Sequence, residues 1–97
     1  MFVNGQSFSE LKQTCLELTT LNIKLNPLKD GAITKGEIAY VLFGNENKLA
    51  EVFFPLKNKG IVLSKTAEGN WSNTDYKLIA WKGYVIKKNG IAIFGGD

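Results

Sequence analysis

The run Tyr84-Val85-Ile86-Lys87-Lys88-Asn89-Gly90-Ile91-Ala92-Ile93-Phe94 constrains this chain more than any other. Two β-prone segments flank Asn-Gly, the pair that suits a type I′ turn because both central residues need positive φ. A hairpin over 84–94 is therefore expected. Ile61 to Lys65 and Tyr76 to Trp81 read as further strands, with Ala67-Glu68-Gly69-Asn70 as a loop tip.

The N-terminal part carries helical signals. Ser7-Phe8-Ser9-Glu10 has the capping-box pattern, in which the Ser hydroxyl and the Glu carboxylate satisfy each other's backbone N–H groups. Phe8, Leu11, Cys15 and Leu18 follow at helical spacing, so a first helix is predicted over 7–20 with Cys15 on its buried face. Leu21 to Leu25 alternates like a short strand that Asn26-Pro27 ends, and Asp30-Gly31 signals a turn.

Thr34 to Val62 reads two ways. Ile38 to Phe43 and Val52-Phe53-Phe54 have high β-propensity and permit a hairpin across Gly44-Asn45-Glu46-Asn47. A helical reading competes: Thr34-Lys35-Gly36-Glu37 is a second capping-box pattern, and Ile38, Val41 and Leu42 follow at helical spacing. Leu49, Val52, Phe53 and Leu56 then form a second stripe, closed by Gly60. The second reading accounts for more of the order of these residues.

On those residues, Ala32 to Val62 resembles the winged helix-turn-helix superfamily of bacterial and phage transcription regulators. Glu37-Ile38-Ala39 and Leu42 match its first motif helix, and Leu49, Val52 and Phe53 the apolar positions of its second. Leu56 to Val62 matches the exit into the wing, and Pro55 requires that second helix to kink or end early. The resemblance implies an α+β single domain over 1–97: a first helix at 7–20, the helix-turn-helix at 34–59, wing strands at 60–80 and an added hairpin at 84–94. The alternative is an N-terminal helix packed on an antiparallel β-meander.

Composition narrows the chemistry. The 97 residues include no His and no Arg, one Cys, and twelve Lys as the only basic side chains. That excludes an internal disulfide, His-dependent triads and His-ligated zinc, and it removes the bidentate guanidinium fork. Neither an enzyme nor a cofactor or metal site is expected. The longest apolar run, Ile38 to Phe43, is too short to span a bilayer, and the first residues lack a signal-peptide pattern, so a cytoplasmic protein is expected. Net charge is +3, with the excess Lys beyond residue 56.

The resemblance places a recognition helix in the major groove of duplex DNA. Asn47 would pair with adenine, Lys48 would reach guanine or phosphate, and Glu51 would accept from cytosine. Lys57, Lys59, Lys65 and Lys77 would meet phosphates. The alternative is a small protein-interaction module, a regulator, inhibitor or homodimer, with Tyr40, Phe43 and Phe54 at its interface. Trp71, Tyr76, Trp81 and Tyr84 interleave with Lys, but strand alternation puts Trp81 opposite in face to Tyr76, which favours core and surface over a stacking platform.

Overall fold

A computed structural model describes residues 6–55, 59–80 and 83–96. Its eleven strands are β1 (Gln6–Ser9), β2 (Thr14–Glu17), β3 (Ile23–Lys29), β4 (Ala32–Ile33), β5 (Ala39–Phe43), β6 (Leu49–Phe53), β7 (Ile61–Lys65), β8 (Trp71–Ser72), β9 (Tyr76–Ala80), β10 (Tyr84–Lys88) and β11 (Ile91–Gly95). From β5 to β11 each strand pairs antiparallel with the next, β3 pairs with β5, and β11 returns to β3 through Phe94 opposite Pro27. The result is a closed antiparallel barrel of eight strands, with β4 as a short spur on β3. At this strand number side chains just fill the interior.

The α+β winged helix expected over Ala32–Val62 is absent, and so is the helix on which the β-meander alternative depends. The described residues contain no α-helix, only 3₁₀ turns at Leu18–Thr20 and Asn45–Asn47. The supposed motif helices are the β5–β6 hairpin, with Val41 opposite Val52 and Phe43 opposite Ala50. Ala39, Val41 and Phe43 alternate inward, as do Ala50, Val52 and Phe54. This period of two is masked because the outer face of β6 is also covered: Glu51 and Phe53 are as buried as their inward neighbours. An apolar run buried on both faces loses the alternation that distinguishes strand from helix.

The first helix, 7–20, is likewise two strands. Ser9 nevertheless caps one turn: its Oγ accepts from Lys12 N (3.0 Å) and its carbonyl from Gln13 N (2.8 Å). Gln13 then takes φ 55°, and this left-handed residue turns the chain back into β2. The capping box expected at Ser7 and Glu10 does not form: Ser7 lies within β1, and the single turn is capped two residues later by Ser9. Pro27 does not end its strand either; it lies between the β3 residues paired with β5 and those paired with β4, opposite Phe94 of β11, and its carbonyl accepts from Thr34 N (2.9 Å). Asn89 (φ 52°) and Gly90 (φ 83°) make the turn between β10 and β11 that Asn-Gly calls for.

Two aromatic groups fill the barrel axis. Near one end Phe43 packs on Trp71 and Tyr84, with ring centroids 4.8 and 5.4 Å apart. Towards the other, Phe54 packs on Tyr76 and Phe94 at 4.7 and 5.7 Å. Leu25, Val52, Leu63, Leu78 and Ile86 occupy the space between. No helix among the described residues is long and apolar enough to cross a membrane.

Candidate functional site

The barrel wall carries two polar arrangements, one closed and one open. The closed one anchors the N-terminal hairpin. Glu51 points outward from β6 beneath the β1–β2 turn, fully buried. Its carboxylate accepts from Ser9 Oγ (2.5 Å), Glu10 N (2.6 Å) and Leu11 N (3.4 Å). Gly60 leaves the room this carboxylate needs, since a Cβ there would overlap it. Beside it, Gly60 N donates to Phe8 O (3.0 Å), and the Lys59 ammonium pairs with Glu10 at 2.5 Å. The hydrogen bond to the Glu10 carboxylate, then its charge, hold the Lys59 pKa above the ordinary 10.5. The carboxylate is fully buried and takes its hydrogen bonds from the β1–β2 turn, so it serves as an anchor.

The open arrangement lies on the outer wall of β8, β9 and β10. Leu78 opposes both Trp71 and Ile86 inside the barrel, so the alternate residues Ser72, Lys77 and Lys87 face out. Register sets them side by side: Ser64 opposite Ser72, Ser72 opposite Lys77, Lys77 opposite Lys87 and Lys87 opposite Ala92. Strands lie about 4.8 Å apart, so four hydrogen-bond donors cross the wall within about 15 Å. The bulge at Ile93, where register shifts between Ile86 and Lys87, adds local twist beside the second lysine.

A groove of about 420 Å³ opens over this row. Its rims are the 66–70 loop, the 73–75 turn and the Asn89-Gly90 turn. The rims are internally tied. Thr66 Oγ1 accepts from Glu68 N and Asn70 N, both at 3.3 Å, and Asn73 Oδ1 accepts from Asp75 N (2.9 Å) and Tyr76 N (2.8 Å). Lys77 and Lys87 are half-buried in the groove, and Glu68 and Asp75 stand on exposed rim positions. Among the described residues, ion pairs join Lys48 to Glu46 (3.2 Å) and Lys59 to Glu10; Lys77 and Lys87 take part in neither. Like charges directly opposite on neighbouring strands repel. An anion between the two ammoniums would remove that repulsion.

The residues singled out from the sequence scatter over the molecule. Asn47 and Lys48 sit in the β5–β6 turn, where Glu46 and Asn47 have φ of 56° and 55° and the Asn47 carbonyl accepts from Trp71 Nε1 (2.8 Å). Glu51 is sealed under the hairpin and faces no partner. Lys59 pairs with Glu10, and Lys65 lies over the Trp71 ring at 5.9 Å. Lys57 lies outside the described residues. Phe43 and Phe54 are core residues, whereas Tyr40 is half-buried on the outer face of β5 opposite Phe53. Of the expected contact residues that are described, only Lys77 lines the groove, beside Tyr76 of the interleaved aromatics. Lys87, Ser72 and Asn73 were missed; Lys87 stood in the most legible hairpin, but its neighbour across β9 depends on strand register.

Among the described residues no three His, Cys, Asp or Glu side chains are grouped to hold a metal ion. No protein-family model, curated protein or solved structure matches this chain.

Proposed function

We propose that this chain is a non-catalytic protein-interaction module that binds through the outer wall of its barrel, at the groove over β8–β10. The observation that carries the reading is the filled interior. Phe43, Trp71 and Tyr84 near one end, and Phe54, Tyr76 and Phe94 towards the other, occupy the space that a barrel carrying a small ligand keeps open. Recognition is thereby moved to the outside. There the groove offers a concave surface with donors on its floor and turns tied by their own hydrogen bonds on its rims. Preorganised rims lose little conformational entropy when a partner docks.

The test compares interior and wall directly. The protein, isotope-labelled for NMR, is titrated with a long-chain fatty acid and, separately, with peptides selected against it from a random display library. Peptides that shift amides of residues 66–77 and 87–90 support the reading. Fatty-acid shifts at the Leu25, Leu63, Leu78 and Ile86 methyls, with selected peptides leaving the groove unchanged, would establish an internal carrier instead.

A further inference from the structure

Building on that reading, we infer that the occupant of the groove is an acidic segment of a partner protein, whose carboxylates sit between Lys77 and Lys87. Three observations point to isolated carboxylates. First, Lys77 and Lys87 stand directly opposite each other on β9 and β10, both half-buried, and among the described residues neither is in an ion pair, while Ser72 supplies a hydroxyl on the next strand. One carboxylate has two oxygens, enough to take a hydrogen bond from each lysine. Second, Asn73 spends its Oδ1 on two backbone amides, which leaves its Nδ2 donors for a carbonyl or carboxylate of the occupant.

Third, the rim is wrong for a polyanion. Glu68 and Asp75 line the same groove, so its formal charge is balanced and a continuous phosphate backbone would be repelled as it crossed the rim. An extended peptide spaces its side chains and can set acidic groups over the lysines while its backbone N–H or basic groups meet Glu68 and Asp75. Of the rings that would stack nucleobases, Trp71 is buried, while Tyr76 lines the groove but packs on Phe54, so the described lining offers one half-buried ring rather than a row of stacking faces. The local pairing of Lys77 with Lys87 inside a rim of opposite charge therefore favours a peptide with spaced carboxylates over a continuous phosphate backbone.

The test uses the full chain and four probes: a peptide with spaced glutamates in an otherwise uncharged sequence, the same peptide with glutamine at every glutamate, the same peptide with lysine at every glutamate (the lysine-rich peptide), and a mixed-sequence oligonucleotide as single strand and as duplex. The glutamate peptide is expected to shift the amides of Ser72, Asn73, Lys77 and Lys87, and to bind about tenfold more tightly than its glutamine counterpart at low salt. Lys77→Gln with Lys87→Gln should abolish that difference. Both side chains point outward, so the amide spectrum of this variant should otherwise match the parent. The charge-reversed variant Lys77→Glu with Lys87→Glu should prefer the lysine-rich peptide.

Equal binding of the glutamate and glutamine peptides within the groove would overturn the acidic-segment inference and leave the interaction surface standing. Peptide shifts mapping away from residues 66–77 and 87–90 would remove the surface as well. Oligonucleotide binding in the groove tighter than the glutamate peptide would overturn the inference in favour of a phosphate ligand.

Discussion

Glu51→Gln is expected to loosen the N-terminal hairpin before it disturbs the barrel. The carboxylate takes short hydrogen bonds from Ser9 Oγ and Glu10 N at 2.5 and 2.6 Å, while the contact from Leu11 N at 3.4 Å is long and contributes little. Bonds to a charged acceptor contribute about 1.5–3 kcal/mol each, and neutral ones about 1 kcal/mol. Glutamine keeps one acceptor at neutral strength and turns its amino group towards the donor that faced the other oxygen. The expected loss is about 2–3 kcal/mol. That loss has a ceiling, because once undocking the hairpin costs less than keeping it docked, the hairpin leaves and water satisfies its donors. Beyond that point the barrel loses nothing more.

Hydrogen exchange separates the two levels. Protection of amides in Gln6–Ser9 and Thr14–Glu17 should fall roughly 30- to 150-fold in Glu51→Gln, the factor that corresponds to about 2–3 kcal/mol. Amides of β9 and β10 should change less. If the hairpin is coupled to the barrel throughout melting, Tm should drop by roughly 10–15 °C for a chain this size. A variant within about 0.5 kcal/mol of the parent, with unchanged hairpin protection, would refute the anchor.

Four other perturbations probe the same architecture. Gly60→Ala should destabilise by about 2 kcal/mol in urea denaturation, because the added methyl displaces the Glu51 carboxylate, and its effect should be sub-additive with Glu51→Ala. The Lys59 pKa is raised in the folded chain, so on the alkaline side the stabilisation from its pair with Glu10 is still present at pH 10.5 and is lost as pH rises through the higher folded value; the difference in stability between parent and Lys59→Gln should fade over that alkaline range. Glu46→Gly should raise stability by about 0.5–1 kcal/mol by thermal melting, since glycine takes φ 56° without a Cβ clash and the exposed pair with Lys48 contributes little. Trp71→Phe should cost about 2–3 kcal/mol: it deprives the Asn47 carbonyl of its donor and leaves a gap beside Phe43, and amide protection around residues 45–48 should fall with it.

How much of this was legible can be followed through particular residues. Asn89-Gly90 specified its turn because positive φ at two successive positions is a property of those residues alone, and Ile61 to Lys65 and Tyr76 to Ala80 are strands as their composition suggests. Ser9 shows the opposite case. Its hydroxyl does cap a turn, but whether that turn grows into a helix depends on what Glu10 and Leu11 meet, and they meet Glu51, some forty positions away. The signal for Glu51 was present as one acid set between Ala50 and Val52 in an apolar run, with Gly60 downstream. It suggested a reading face for DNA because nothing local reveals that a hairpin lies on top. The groove was less accessible still, since it needs Lys77 and Lys87 in register across strands joined through residues 81–83.

Short-range chemistry therefore decided the turns and the β character of the C-terminal half, together with the absence of any histidine- or arginine-based site. Barrel closure decided the rest. Pairing β11 with β3 chose which face of every strand looks inward, and folding the first hairpin over β6 buried Glu51 on its outer face. Both depend on hydrogen bonds and burial between residues far apart in sequence, whose free energy is realised only when the whole sheet closes. The same residues between Thr34 and Val62 can satisfy a period of 3.6 or of 2. The second period prevails because β3 and β7 stand ready to pair with both edges of that hairpin.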